Sequence, residues 1–433
     1  MVGRRSGWKI RHLFLGIILG VCVQSCIEDP IPAPVVPSPE DPQYIIWDAD
    51  TYVGDGAVRI FWDATPHYEP FAPPIPQPQI VRVEMSTVSA STGFRLVWSS
   101  ATIGPDSAEV PDLDNWIRHW FRIRSFDAAD YLVGASRVLE TIPGPALTPL
   151  EVIPAFQRHY LGRGLAWSPQ SDKLVFASAP GCVRENLSCY DVATGQITPV
   201  TGFGADEQRL SHPGWSPDGS RLAFDYTESS TNYFLDYRIW IMPVDSNLPQ
   251  SVSSGRFDGD PAWVTNKTLV FIRHTDSPRA PEIQRLVLGL EPQVTPLSSD
   301  GRIWKQDLAV SPDGSTILYS GIDFEEASRP RWSLYTLSIR GGTSEALDVG
   351  GWWDDVHPAW HPDGRRIFFA SDRSGHFEVW SVELHSHEIR QITRSQRRYE
   401  ARYDPAVSPD GSRLAFLASR GSPSTVEIVV PTD

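Results

Sequence analysis

Between residues 43 and 143 apolar and polar positions alternate with a period of two: Val58, Ile60 and Trp62; Val81, Val83 and Met85; Phe94, Leu96 and Trp98; Phe121 and Ile123. Successive side chains of a strand point to opposite faces, so the pattern predicts a half-buried antiparallel sandwich. From about residue 148 the chain repeats itself. Six segments align: Gly164-Leu165-Ala166-Trp167-Ser168-Pro169, His212-Pro213-Gly214-Trp215-Ser216-Pro217-Asp218-Gly219, Asp260-Pro261-Ala262-Trp263, Asp307-Leu308-Ala309-Val310-Ser311-Pro312-Asp313-Gly314, His357-Pro358-Ala359-Trp360-His361-Pro362-Asp363-Gly364 and Asp404-Pro405-Ala406-Val407-Ser408-Pro409-Asp410-Gly411. Their starts lie 48, 48, 47, 50 and 47 residues apart.

Each repeat predicts the same four strands. A short inner strand ends in a Pro-Asp-Gly turn, whose proline presets φ and whose glycine accepts a positive one. A second apolar strand follows, as in Leu222-Ala223-Phe224, then a variable loop, a third strand such as Ile239-Trp240-Ile241, and an outer strand such as Gln391-Ile392-Thr393. Four strands at a period near 48 make a propeller blade, so residues 148–433 are predicted to be a six-bladed β-propeller. The sixth repeat stops after its third strand, and Pro149-Leu150-Glu151-Val152-Ile153 is expected to supply the missing outer strand and close the ring. The fold class is all-β, a sandwich followed by a propeller.

Composition agrees with short strands and turns, with 38 Pro, 32 Gly and 16 Trp against 3 Met, and 41% hydrophobic residues exclude a mainly disordered chain. A net charge of -15 argues against a nucleic-acid partner. The N-terminus reads as a targeting segment. Arg4, Arg5, Lys9 and Arg11 precede the apolar run Leu13 to Val23, which is shorter than the ~20 residues of a membrane span. Residues 1–25 are thus expected to be a signal peptide. Val23-Gln24-Ser25-Cys26 resembles the bacterial lipobox, which implies lipidation at Cys26 and an anchor in the cell envelope. Ile27, in place of the Asp of inner-membrane retention, favours the outer membrane. The Pro-rich stretch 26–42 reads as an extended tether of up to about 50 Å. In the folded part, Cys182 and Cys189 flank a short loop and are expected to form a hairpin disulfide.

Two family resemblances add to this reading. Residues 43–143 resemble a fibronectin type III domain, with Trp62 as the core Trp of the second strand and His119 to Asp127 as the penultimate strand. His119 stands where that family usually has the corner tyrosine, six residues after Leu113. The six repeats are similar to those of the TolB-type propeller, whose core reads Asp-Pro-x-Trp-Ser-Pro-Asp-Gly, and repeats two, five and six carry the likeness best. Propellers host binding and catalysis alike, so the resemblance implies a fold more than a function.

Strand direction alternates within a blade, so the Pro-Asp-Gly turns share one face. The other face carries the individual loops Ala177 to Cys189, Tyr226 to Tyr237, Gly321 to Arg331 and Ser371 to Phe377. Loops that vary on a rigid scaffold are the usual place for recognition. Tyr160, Trp304, Trp352, Trp353, Tyr399 and Tyr403, near Arg398, Arg402, Asp354 and Asp355, are therefore expected to form a rim for an envelope protein or peptide, with a glycan as the alternative. About half of these rings are expected to plug gaps between blades instead. At the entrance of the inner strands a ring reads Gly164, His212, Asp260, Asp307, His357 and Asp404. Imidazole and carboxylate are ordinary ligands of a divalent cation, and the competing reading is a set of hydrogen bonds to the next blade's backbone. The sequence has no Gly-x-Ser-x-Gly elbow, no His-Glu-x-x-His and no phosphate-binding glycine loop, so an enzyme, a propeller lyase using His212 and His357, is the secondary expectation.

Overall fold

The structure is a computed structural model that describes residues 48–63, 80–100, 107–143, 149–154, 164–178, 186–202, 209–227, 237–246, 248–255, 257–274, 280–324, 330–351, 353–395, 400–419 and 424–431. Among these there is no helix.

The N-terminal strands are β1 (Asp48–Gly54), β2 (Ala57–Asp63), β3 (Ile80–Ser86), β4 (Arg95–Ser100), β5 (Ser107–Val110), β6 (His119–Phe126), β7 (Leu132–Ala135) and β8 (Leu139–Thr141). They form two sheets, one of order β1-β2-β5 and one of order β4-β3-β6-β7 with β8 also paired to β6. The period-two pattern becomes the core between them, where Val58, Ile60, Trp62, Val83, Met85, Phe121, Ile123 and Leu139 pack as one cluster. Burial contributes roughly 1.5–3 kcal/mol for each such large side chain. One expectation fails inside this sheet. Leu96 is 55% exposed, because β3 and β4 slip register between Val83, opposite Trp98, and Glu84, opposite Leu96. The extra residue turns Leu96 to the outer face while Trp98 stays against Trp62.

Six four-stranded antiparallel sheets follow. Their inner strands are Leu165–Trp167, Arg209–Trp215, Asp258–Thr265, Ile303–Val310, Asp355–Trp360 and Ala401–Val407. Each packs on the inner strand of the next sheet, and the sixth packs on the first, so the sheets are blades set around a ring. The expected closure occurs. β9 (Glu151–Pro154) pairs with Thr425–Val429 and is the outer strand of the sixth blade. A seam cluster joins the ends of the ring, with Ile153, Val426 and Ile428 packed against Trp167, Phe176 and Tyr190 of the first blade.

Two repeated features explain why the motif recurs. The inner-strand indoles Trp167, Trp215 and Trp263 donate Nε1–H to the carbonyls of Ala406, Ala166 and Gly214 on the preceding blade, at 3.0, 3.1 and 3.0 Å. A buried indole thereby fills the gap between blades and satisfies its one donor. In the turns, Asp218 accepts from Ser216 Oγ at 2.6 Å and from the Ser220 amide at 3.0 Å, and Asp313 and Asp410 repeat the pattern. Gly219 sits at φ 73°, a left-handed position that glycine adopts without a Cβ clash.

Candidate functional site

The ring residues are set by a bulge in each inner strand of blades two to six. Register shifts fall between Ser211 and Gly214, Gly259 and Ala262, Gln306 and Ala309, Val356 and Ala359, and Tyr403 and Ala406. At each bulge the ring residue is left-handed, with φ 50° at His212, 54° at Asp260, 59° at Asp307, 52° at His357 and 55° at Asp404. L-residues hold such a φ at a cost of about 1–3 kcal/mol each, so the surroundings must fix them. The fixing bonds run from blade to blade. Asp260 accepts the amide of Asp307 at 2.9 Å, Asp307 that of His357 at 3.4 Å, and Asp404 that of Gly164 at 3.2 Å across the seam. The backbone-bonding expectation thus describes these three carboxylates.

The two histidines of the ring are treated differently. His212 Nδ1 lies 2.8 Å from Asp225 Oδ2 and Nε2 lies 2.6 Å from Asp260 Oδ1. Burial alone would lower its pKa, but the charges of Asp260 and Asp225 outweigh burial and hold it well above the ordinary 6.5. Burial likewise raises Asp225, and the imidazolium more than reverses that. The result is an imidazolium clamped between two carboxylates. His357 Nε2 stands 3.8 Å from both Asp307 and Asp404, and among the described residues neither of its ring nitrogens has a hydrogen-bond partner. Ligand atoms of His212, Asp225 and Asp260 lie within 4.8 Å of one another, so the trio has the donors for a divalent cation, which would have to displace the clamped proton. Asp225 was not among the sequence candidates. Its signal was available in the repeat, since the matching positions hold Ala177, Ile272, Ser320, Ala370 and Leu417, none of them acidic.

The aromatic rim needs correction. Trp353 is 7% exposed, not a free contact surface, and the Arg137 guanidinium of the sandwich lies 5.7 Å from its ring centroid. The loop after the second strand of blade five, expected to recognise a partner, instead receives the chain's own first domain. Arg137 donates to Asp372 Oδ2 at 2.6 Å and to the carbonyls of Asp372 and Gly375 at 3.1 and 2.9 Å. Thr51 donates its amide and hydroxyl to the Ser374 carbonyl, and the Glu140 amide donates to that of Arg373 at 2.7 Å. Tyr52 stacks on His376 with centroids 5.0 Å apart. A Cβ on Gly375, which has φ 108°, would lie 2.6 Å from Ala49 O, so the close approach requires glycine. Asp355 and Arg402, expected at the rim, are buried as well. Asp355 pairs with the fully buried Arg373 at 3.0 Å, and Arg402 sits among Glu378, Glu400 and Glu427 at 3.5 to 3.6 Å. Desolvation acts to raise the Glu378 pKa, yet Arg402, His376 and Ser395 bring it down to about 2.

Trp304 and Tyr403 are half-buried at the loop end of their inner strands. Trp304 lies against His274 at 5.4 Å and Tyr403 against His357 at 6.1 Å between centroids. Tyr160, Trp352, Tyr399, Arg398, Cys26 and Cys182 lie outside the described residues. Of the expected disulfide pair only Cys189 lies among the described residues, where it is a free buried thiol. It stands three residues into the strand Asn186–Asp191, opposite Val175 and Thr198. Burial pushes its pKa up, as for a structural thiol.

No protein-family model matches the chain. The sequence is 36% identical over 94 residues to the Tol-Pal system protein TolB of Anaeromyxobacter dehalogenans, covering 22% of this chain and 20% of that protein. It is 31% identical over 108 residues to an uncharacterized protein of Agrobacterium fabrum, covering 25% and 34%. The chain thus spans about a fifth of the length of the TolB relatives it matches. Among solved structures, TolB from Acinetobacter baumannii aligns over 72% of this chain and 76% of its own at 15% identity and a TM-score of 0.45. An oligogalacturonate lyase in complex with manganese aligns over 91% and 98% at 12% identity and 0.45. Alignments at that overlap decide nothing between binding and catalysis. What the sequence likeness and the six blades support together is a TolB-like β-propeller.

Proposed function

We propose that this chain is a lipid-anchored protein of the bacterial cell envelope, on the outer membrane through Cys26, whose TolB-like propeller binds an envelope protein or peptide at the loop end of its central ring. The observation that carries the reading is the asymmetry of the two ends. The turn end repeats the same local Ser-Asp hydrogen bonds, while the loop end carries two aromatic pairs, His274 with Trp304 and His357 with Tyr403, the second beside the carboxylates of Asp307 and Asp404. Aromatic faces next to acidic groups suit a basic side chain, which the net charge of -15 attracts. Neutral glycans stack on the same rings and form the competing ligand class.

The N-terminal domain is proposed to be fibronectin type III-like, supported by its two-sheet order β1-β2-β5 and β4-β3-β6-β7 and by Trp62 in its core. In place of a corner tyrosine, His119 is buried with Nδ1 2.7 Å from the Ile117 carbonyl. A second reading, an enzyme with a divalent cation, is favoured by the donor trio His212, Asp225 and Asp260 alone. Metal analysis of purified protein separates the two, with a stoichiometric ion favouring the enzyme.

The decisive experiment is capture from solubilised envelopes with Trp304→Ala and Asp218→Ala variants of matched melting temperature. Loss of a specific captured partner with Trp304→Ala and its retention with Asp218→Ala supports the loop end. The reverse overturns it. Cys26→Ser is expected to move the protein out of the membrane fraction, and unchanged fractionation overturns the anchor.

A further inference from the structure

We propose that the sandwich is a clasp on the propeller's seam: its docking on blade five and the pairing of β9 in blade six hold each other in place. Among the described residues the sixth blade has three strands consecutive in sequence, Ala401–Val407, Leu414–Ser419 and Thr425–Val429, and β9 completes it through a short ladder, Thr425 to Ile428 against Pro154 to Glu151, extended by the Leu150 amide on the Ile428 carbonyl at 2.7 Å. That strand is weakly buried on one side, with Leu150 57% and Val152 51% exposed. Four residues of edge pairing are little against the entropy of ordering them.

The other end of the same segment is anchored. Thr141 Oγ1 and the Ile142 amide both donate to Gln391 Oε1 at 3.3 and 3.1 Å, and Arg394 Nε donates to the Ile142 carbonyl at 3.0 Å. Ile142 itself is buried in the core of blades four and five with Leu334, Trp380 and Ile389. Only seven residues, 143 to 149, separate Ile142 from Leu150. A span of at most about 25–30 Å keeps the local concentration of β9 at its partner strand high while the sandwich is docked. Ile142 follows β8 of the sandwich directly, so where release of the sandwich carries Ile142 with it the anchored end is lost and the closure entropy rises. Linkage makes the effect mutual, so freeing β9 loosens the sandwich by the same factor.

The test is hydrogen exchange on the full chain carrying Arg137→Ala and, separately, Gly375→Ala. Arg137→Ala removes three hydrogen bonds to the blade-five loop, and Gly375→Ala forces a Cβ into the sandwich backbone. The expected result is exchange at least about tenfold faster at the Thr51 and Glu140 amides, matched by a similar rise in β9 and Thr425–Val429, with Thr268–Arg273 of blade three unchanged. In the reciprocal variant, Ile153→Asp, the Thr51 and Glu140 amides are expected to exchange faster too. The proposal is overturned if β9 stays protected while the sandwich amides open, if blade three opens equally, or if the sandwich amides stay protected in both interface variants. Should Gly375→Ala fail to fold, Arg137→Ala decides by itself.

Discussion

Blades two and five carry the same core motif, His-Pro-x-Trp-x-Pro-Asp-Gly, at His212 to Gly219 and His357 to Gly364, yet they use their polar groups in opposite directions. Blade two turns them inward. Asp225 on its second strand, where blade five has Ala370, lets His212 be held by carboxylates on both nitrogens. In blade five the His357 ring nitrogens have no hydrogen-bond partner among the described residues, and the charged residues turn outward, where Asp372, Arg373 and His376 receive the sandwich and Glu378 ties the blade to Arg402 of the next. The difference teaches that the repeat fixes a scaffold, while the residues the repeats do not share decide what each blade does. A buried charge needs its partner in either place.

The largest effect is expected where that rule is most severe. Glu378→Ala removes the carboxylate that Arg402, His376 and the Ser395 amide share in a fully buried position, and should cost about 3–5 kcal/mol in urea unfolding. A loss under about 1 kcal/mol would show that blade five does not depend on its outward network.

The histidine pair sharpens the comparison next. His212→Ala leaves Asp225 and Asp260 facing each other and should cost about 2–3 kcal/mol, against about 1 kcal/mol or less for His357→Ala. The pH dependence follows from the signs. With a folded pKa raised above 6.5, His212 contributes fully below 6.5 and its contribution is lost as pH rises through the higher folded value. With a folded pKa below 3.8, Asp225 contributes above 3.8 and loses its contribution as pH falls. The stability gap between the parent and His212→Ala should thus be widest between about pH 4 and 6.5 and shrink on the alkaline side. A gap that grows with pH overturns the clamp.

A gain is expected at Asp354, beside the docking loop. Burial and the neighbouring Asp372 push its pKa up to about 6. Between 3.8 and about 6 the folded state binds more protons than the unfolded one, so stability falls as pH rises through that window. Asp354→Asn, which keeps the acceptor for the Trp332 amide, should stabilise by about 1–2 kcal/mol at pH 7 and by nothing near pH 4. No gain at pH 7 would mean that Arg137 compensates Asp354 fully. Smallest of all should be Asp218→Ala on the turn end of blade two. It removes local bonds to Ser216 and Ser220 in an exposed turn, and its unfolding midpoint should stay closest to that of the parent.

How much of this was legible depends on whether the cause is local. The turn residues, the second-strand apolar triplets and the ring positions were readable because each follows from spacing within one repeat. Leu96 was misplaced because a one-residue bulge in β3 and β4 is invisible to a period-two count. Trp353 reads as a contact surface from the sequence because nothing within blade five says that Arg137, 216 residues earlier, covers it. The disulfide expectation rests on nearness in sequence, and of its two cysteines only Cys189, a free buried thiol in its strand, lies among the described residues.

The sequence by itself determined the all-β class, the six repeats, the closing strand and the list of ring residues, because hydrophobic period and turn chemistry act over a few neighbouring residues. Only the tertiary structure decided that His212 is clamped and His357 is not, that the sandwich occupies the blade-five loop, and that Glu378 and Arg402 are buried partners. Those outcomes depend on which side chains meet across blades and domains. Desolvation makes the meeting decisive, since a charge taken out of water is stable only where another chain segment brings its partner.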